Sequence, residues 1–174
     1  MVWFVVLYSQ ILQLTVQSKL FSRIFMTQTL QASQGLRLIA HFDLCTGCEI
    51  CQLVCSERIC GGFNPRLAAL RIEHKRENLV HEPVLCEQCQ NPFCQNVCPV
   101  QAISLDEETG ARVIDPDTCI GCGLCATYCP REVIVHDART GKSVKCDLCN
   151  GDPLCVRSCP TGALELIVQG GDYA

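Results

Sequence analysis

At 174 residues the chain is long enough for one compact domain or two very small ones, and 17 cysteines with only 6% aromatic residues make side-chain packing alone a poor core. A formal charge of −4, with no basic stripe and no aromatic-rich RNA-binding motif, excludes nucleic acid as a partner. The odd cysteine count, their regular spacing and the lack of a clear secretory signal argue against a disulfide framework.

In chain order, residues 1–18 carry no charge, and Lys19 and Arg23 follow. A membrane-spanning helix needs about 20 mostly apolar residues, and Ser9, Gln10, Gln13, Thr15 and Gln17 interrupt this run. A signal peptide would show a basic start and a small-x-small cleavage site, and neither is present. Residues 1–35 therefore read as a leader outside the fold. Met26 opens a polar stretch that looks like an ordinary start, and an anchor or a signal is the alternative. Membrane contact is expected only if this segment is a real anchor. The remainder has no other long apolar run, and the expected location is cytoplasmic.

Leu36 to Phe42 reads as a first strand. Cys45, Cys48, Cys51 and Cys55 follow, with a short helix expected over Gln52 to Arg58. Leu70 to His74 and Asn78 to His81 alternate apolar and polar residues around Lys75, Arg76 and Glu77, which predicts a hairpin. The second cysteine group is Cys86, Cys89, Cys94 and Cys98. The third is Cys119, Cys122, Cys125 and Cys129, with a helix expected over Leu124 to Tyr128. The fourth is Cys146, Cys149, Cys155 and Cys159. Between groups two and three, Ala102 to Ile114 carries Asp106, Thr109, Gly110 and Val113. The same pattern recurs in Val133 to Lys145 as Asp137, Thr140, Gly141 and Val144. The repeating unit is thus cluster loop, Cys-Pro, strand, Thr-Gly turn, strand.

Sixteen of the 17 cysteines fall into these groups. Each group opens C-x-x-C and closes C-x-x-x-C, and Pro99, Pro130 and Pro160 follow the last three closing cysteines. Groups one and three have the full spacing with which bacterial ferredoxins hold [4Fe–4S] clusters, four thiolates to each. Zinc also uses C-x-x-C pairs, but has no need of a third cysteine at that spacing or of Cys-Pro. Sixteen thiolates are enough for four [4Fe–4S] clusters, so the apo chain is expected to be largely unfolded. The fold class is α+β: two pseudo-symmetric ferredoxin-like modules with short antiparallel strands and short helices around the clusters. In two-cluster ferredoxins the fourth cysteine of each run serves the other cluster. Four groups can pair in three ways, and spacing does not choose among them.

The ordered set of four groups, the last opening Lys145-Cys146-Asp147-Leu148-Cys149, resembles the iron–sulfur subunits of DMSO reductase, formate dehydrogenase and related molybdenum or tungsten enzymes over residues 36–168. Gly61-Gly62-Phe63-Asn64-Pro65, then Leu70-Arg71-Ile72, is similar more narrowly to the small polyferredoxin subunit of tungsten aldehyde ferredoxin oxidoreductases. The resemblance implies nested modules. The outer takes 36–60 plus 131–168, the inner 80–130, and 61–79 forms a hairpin. It further implies four ligand sets: Cys45, Cys48, Cys51 with Cys159; Cys146, Cys149, Cys155 with Cys55; Cys86, Cys89, Cys94 with Cys129; Cys119, Cys122, Cys125 with Cys98. It implies a non-catalytic electron-transfer subunit between a tungsten or molybdenum catalytic subunit and a flavoprotein or ferredoxin; self-stacking of several copies into a longer wire is a separate, open option. A relay subunit of a hydrogenase or carbon monoxide dehydrogenase is the alternative, and a zinc scaffold a third. The long insertions and C-terminal membrane helix of the larger relatives have no counterpart here.

The remaining residues show no catalytic constellation: no nucleophile elbow, G-x-G-x-x-G or P-loop. Cys60 stands outside every group, as a packed thiol or a spare ligand. Lys142 and Lys145 flank group four, either as a solvated hairpin edge or as cations near a cluster. Arg66, Arg71, Lys75 and Arg76 form the one basic concentration, read as a solvated hairpin before a docking face. His41, His74, His81 and His136 show no partner spacing.

Overall fold

In a computed structural model, residues 35–168 are described; the leader expected over 1–35 lies outside them except for Gly35. Eight short strands form four two-stranded antiparallel sheets. β1 (Leu36–Ala40) pairs with β8 (Leu164–Val168), β2 (Arg71–Lys75) with β3 (Val80–Val84), β4 (Ile103–Leu105) with β5 (Arg112–Ile114), and β6 (Val135–Asp137) with β7 (Lys142–Val144). Among the described residues no helix is long and apolar enough to cross a membrane.

The first strand falls where its alternation places it, and its partner is the last strand described. Leu36 lies opposite Val168 and Ala40 opposite Leu164. His41 adds a 3.1 Å contact to Glu165. One strand face turns inward: Leu38 and Leu164 are buried in a core with Leu70, Ile72, Leu85 and Leu148, and Cys51 and Cys155 belong to the same core.

The β2–β3 hairpin turns one step later than its sequence suggests, through Arg76, Glu77 and Asn78, all left-handed. Pro83 sits in β3 opposite Ile72, which a two-stranded ribbon tolerates because a strand with no second neighbour can spare a donor. The repeated hairpins match their expected design. The Gly110 N–H reaches the Asp106 carbonyl at 2.8 Å, and the Gly141 N–H reaches that of Asp137 at the same distance. Both glycines are left-handed, at φ 71° and 66°. The Asp106 carboxylate also accepts from the Thr109 N–H and hydroxyl.

Four helices carry cysteines: α1 (Ile50–Cys60), α2 (Phe93–Asn96), α3 (Leu124–Thr127) and α4 (Leu154–Arg157). The last three span four residues each. They stop just ahead of Cys98-Pro99, Cys129-Pro130 and Cys159-Pro160, because the residue before a proline avoids helical backbone. Ser56 follows Cys55, so α1 runs on for 11 residues, outreaching its expected Gln52–Arg58 span. It ends on left-handed Gly61, whose N–H caps the Glu57 carbonyl at 2.7 Å. Helix α1 packs on α4, and α2 on α3.

Candidate cluster sites

Three cysteines of each group sit on a short loop running into a helix, and the fourth follows one helical turn later. Left-handed Gly47 and Glu49 flank Cys48, and left-handed Gly121 and Gly123 flank Cys122. These reversals let one short loop present three thiols to a common space. Space is tight at two of them. A Cβ on Gly121 would lie 1.8 Å from the Gly141 carbonyl oxygen, and one on Gly47 would lie 2.5 Å from the His81 ring. Beyond each Cys-Pro the chain reverses again at a left-handed residue: Gln101, Glu132 and Gly162. Each of these donates its N–H back to the carbonyl of the cysteine three before it.

Four pockets result, each walled by thiols. The first is lined by Cys45, Cys48, Cys51 and Cys159, with Ile72, Pro83 and Leu164. The second has Cys55, Cys146, Cys149 and Cys155, with Leu38, Leu70, Leu85 and Leu148; Cys86 also touches it. The third has Cys86, Cys89, Cys94 and Cys129, with Phe93, Val133, Ile134 and Lys145. The fourth has Cys98, Cys119, Cys122 and Cys125, with Ile103, Ile114 and Ser143. The fourth cysteine of every group therefore lies in a different pocket from its first three.

All 17 cysteines are free thiols. Among the described residues no three His, Cys, Asp or Glu side chains lie close enough together to hold one metal ion. In each pocket the thiols surround a space large enough for a polynuclear group. Burial pushes the Cys51 and Cys155 thiols up to about 12 and Cys55 to about 11, and lifts Cys146 well above its usual range. Bare thiolates are thus disfavoured there, and a cationic iron core would supply the missing counter-charge while releasing protons. At Cys94 and Cys146 burial raises the thiol, and the Lys145 ammonium opposes it. For Cys159 burial is outweighed by hydrogen bonds from the Thr161 hydroxyl and from backbone N–H groups of Thr161, Ala163 and Leu164, and its pKa lies below the usual value. The Ala102 N–H donates to the Cys98 sulfur at 3.3 Å in the matching place. Ser143 Oγ is buried with no nitrogen or oxygen partner, in the wall of the fourth pocket. Orphaned donors and N–H groups aimed at sulfur are what an anionic iron–sulfur group requires.

The family pattern for a 4Fe-4S dicluster domain matches residues 78–169, and that for a 4Fe-4S binding domain matches 42–58. The chain belongs to the 4Fe-4S dicluster family. Its cofactors are [4Fe–4S] clusters. The dicluster match spans cysteine groups two to four, and the shorter match spans group one. Among related proteins, the aliphatic sulfonate oxidoreductase polyferredoxin-like subunit of Pyrococcus furiosus is 39% identical over 132 residues, covering 75% of this chain and 76% of that one. A component of the anaerobic dimethyl sulfoxide reductase of Escherichia coli is 33% identical over 156 residues, covering 75% of each protein. Electron transport protein HydN of Escherichia coli is 32% identical, covering 73% of this chain and 85% of that one.

Residues outside the groups resolve more simply. The Cys60 thiol donates to the Ser56 carbonyl at 2.9 Å, on the last turn of α1, and lines none of the four pockets. Arg71 is occupied by Glu73 and by the carbonyls of Arg131 and Glu132, and Lys75 pairs with Glu82. Three of the histidines, His41, His74 and His81, do find partners that their sequence spacing does not signal. His74 meets Glu49 at 2.7 Å and His81 at 2.9 Å, because the β2–β3 hairpin folds over the first cluster loop. No local spacing could signal contacts that depend on how the hairpin packs. Lys142 donates to the Cys119 carbonyl and Lys145 is buried, so neither is a bare hairpin edge.

Proposed function

We propose that this chain is a non-catalytic electron-transfer subunit that relays single electrons through four [4Fe–4S] clusters. The observation that carries this reading is the presence of four pockets, each lined by four cysteines of its own. Cys45, Cys48, Cys51 and Cys159 hold one cluster, and Cys146, Cys149, Cys155 and Cys55 a second. Cys86, Cys89, Cys94 and Cys129 hold a third, and Cys119, Cys122, Cys125 and Cys98 the fourth. Bound there, the clusters supply reversible one-electron redox chemistry. The chain's own part is to hold them in sequence. Helix α1 links the first two pockets through Cys51 and Cys55, and α3 with its Cys-Pro junction links the last two through Cys125 and Cys129. Cys86 lies in the wall between the second and third. Shared elements thus connect the four sites in one order, with the first and fourth at its ends.

Pairing of β1 with β8, and packing of α1 on α4, support an outer module made from both ends of the domain. Packing of α2 on α3 supports an inner one. The names of the related subunits favour an oxidoreductase complex as the setting. There a tungsten or molybdenum catalytic subunit, of the aldehyde oxidoreductase kind, stands at one end and a flavoprotein or ferredoxin at the other, in the cytoplasm.

Iron and acid-labile sulfide on anaerobically purified protein test the count. Each should approach about sixteen per folded chain. A value near half of that, or stoichiometric zinc, overturns the four-cluster reading.

A further inference from the structure

Lys145 is 6% exposed, between β7 and the first cysteine of group four. Its ammonium donates to Gln88 Oε1 at 3.2 Å, to the Cys146 carbonyl at 3.0 Å and to the Arg112 carbonyl. Gln88 is itself buried, and its amide nitrogen donates to the Cys146 carbonyl at 2.9 Å. All three acceptors are neutral. Among the described residues no ion pair includes Lys145. A buried ammonium without a counter-charge is costly, and proteins retain one only where an anion compensates it. No carboxylate does so here. What surrounds Lys145 instead is the third pocket, which it lines, and the second, to which Cys146 belongs. A [4Fe–4S] core with four thiolates is anionic when oxidised and more so when reduced, so clusters in these two sites would supply the missing negative charge.

We propose that Lys145 is a potential-setting residue, a fixed cation that lines the third cluster site and is hydrogen-bonded to the backbone of Cys146 in the second, and that it raises the reduction potential of both and leaves the first and fourth sites nearly unchanged. Reduction of either site adds one electron and one negative charge, with no bond in the protein formed or broken. A cation held by three fixed acceptors favours that added charge without reorganising. The two middle sites of that order are thereby matched to each other, across the step that joins the two modules. The inference rests on the four-cluster reading.

The test is a redox titration followed by low-temperature EPR on the intact chain, comparing wild type with Lys145→Met, Gln88→Glu and Lys75→Met. In Lys145→Met two of the four midpoints should fall while the other two hold. Gln88→Glu keeps the lysine and sets a carboxylate against it; the adjacent ammonium keeps that carboxylate ionised, so the same two midpoints should fall. This second variant decides the matter if Lys145→Met does not assemble. Lys75→Met, on the exposed β2–β3 hairpin, should move none. Four unmoved midpoints in either test variant, or an equal fall in all four, overturn the assignment. Iron analysis of the wild type separates the two failures. Full iron with unmoved midpoints refutes the role of Lys145 alone, whereas iron at half of the expected content refutes the four-cluster reading beneath it.

Discussion

Ser143 shows how much a single side chain can mean when its surroundings are dry. Its hydroxyl is buried with no nitrogen or oxygen partner, and what it faces is the Cys125 thiol, whose pKa burial raises and the Ser143 hydrogen bond lowers. It sits in β7 of the second repeated hairpin, where its counterpart in the first hairpin, Arg112, points to Gln95 instead. Loaded with a cluster, the fourth pocket would give that hydroxyl a thiolate sulfur to donate to. Ser143→Ala should then lower one midpoint by about 40 mV, the one-electron equivalent of a hydrogen bond worth about 1 kcal/mol, with iron content unchanged. Redox-titrated EPR checks this, and four unmoved midpoints would contradict it. The serine was not legible as a functional residue, since nothing in Lys142-Ser143-Val144 distinguishes it from any polar hairpin position. The cysteines were legible, because thiolate ligation constrains both residue type and spacing.

At the level of elements, the Thr-Gly hairpins, the first strand and the short helices follow from local pattern, and each lies within a few residues of its expected place. What local pattern misses is fixed by neighbours. The length of α1 depends on the absence of a proline after Cys55. The β2–β3 turn is displaced because three consecutive residues take up left-handed backbone. Gly121 joins two elements: its missing side chain lets the third cluster loop lie against the Gly141 carbonyl at the tip of the β6–β7 hairpin. Gly121→Ala would place a methyl inside that carbonyl's contact distance, on a backbone at φ 68° that already disfavours any side chain. The combined cost should exceed about 2 kcal/mol. The variant is expected to carry fewer irons than wild type and to lose its visible absorbance at a lower temperature. Gly123→Ala is the comparison, because nothing lies within 4 Å of a Cβ there; it should show the backbone cost alone.

For the whole molecule, the salient fact is that distant parts of the chain line common pockets. Cys159 shares a pocket with Cys45, Cys48 and Cys51 and not with the rest of its own group. If the shared pocket is a shared cluster, Cys159→Ser should degrade the cluster at the head of the domain and spare the one held by Cys146, Cys149 and Cys155. Cluster-resolved EPR would show one perturbed signal in four. Loss of the group-four cluster instead would mean that each group keeps its own. Pairing of the groups could not be read from spacing, because loop lengths between groups allow more than one partner. It depends on which strands and helices meet, and those contacts are long-range.

Strand β1 leaves the ribosome first and its partner β8 last, so the sheet that closes this domain cannot form until synthesis of the domain is complete. During that interval the pocket that Cys159 completes stands open, with Cys45, Cys48 and Cys51 already made. The pockets walled by cysteine groups two and three have all their cysteines once Cys129 has emerged. If each pocket holds one cluster, a chain truncated before Cys159 would lack a lining cysteine in the first pocket alone.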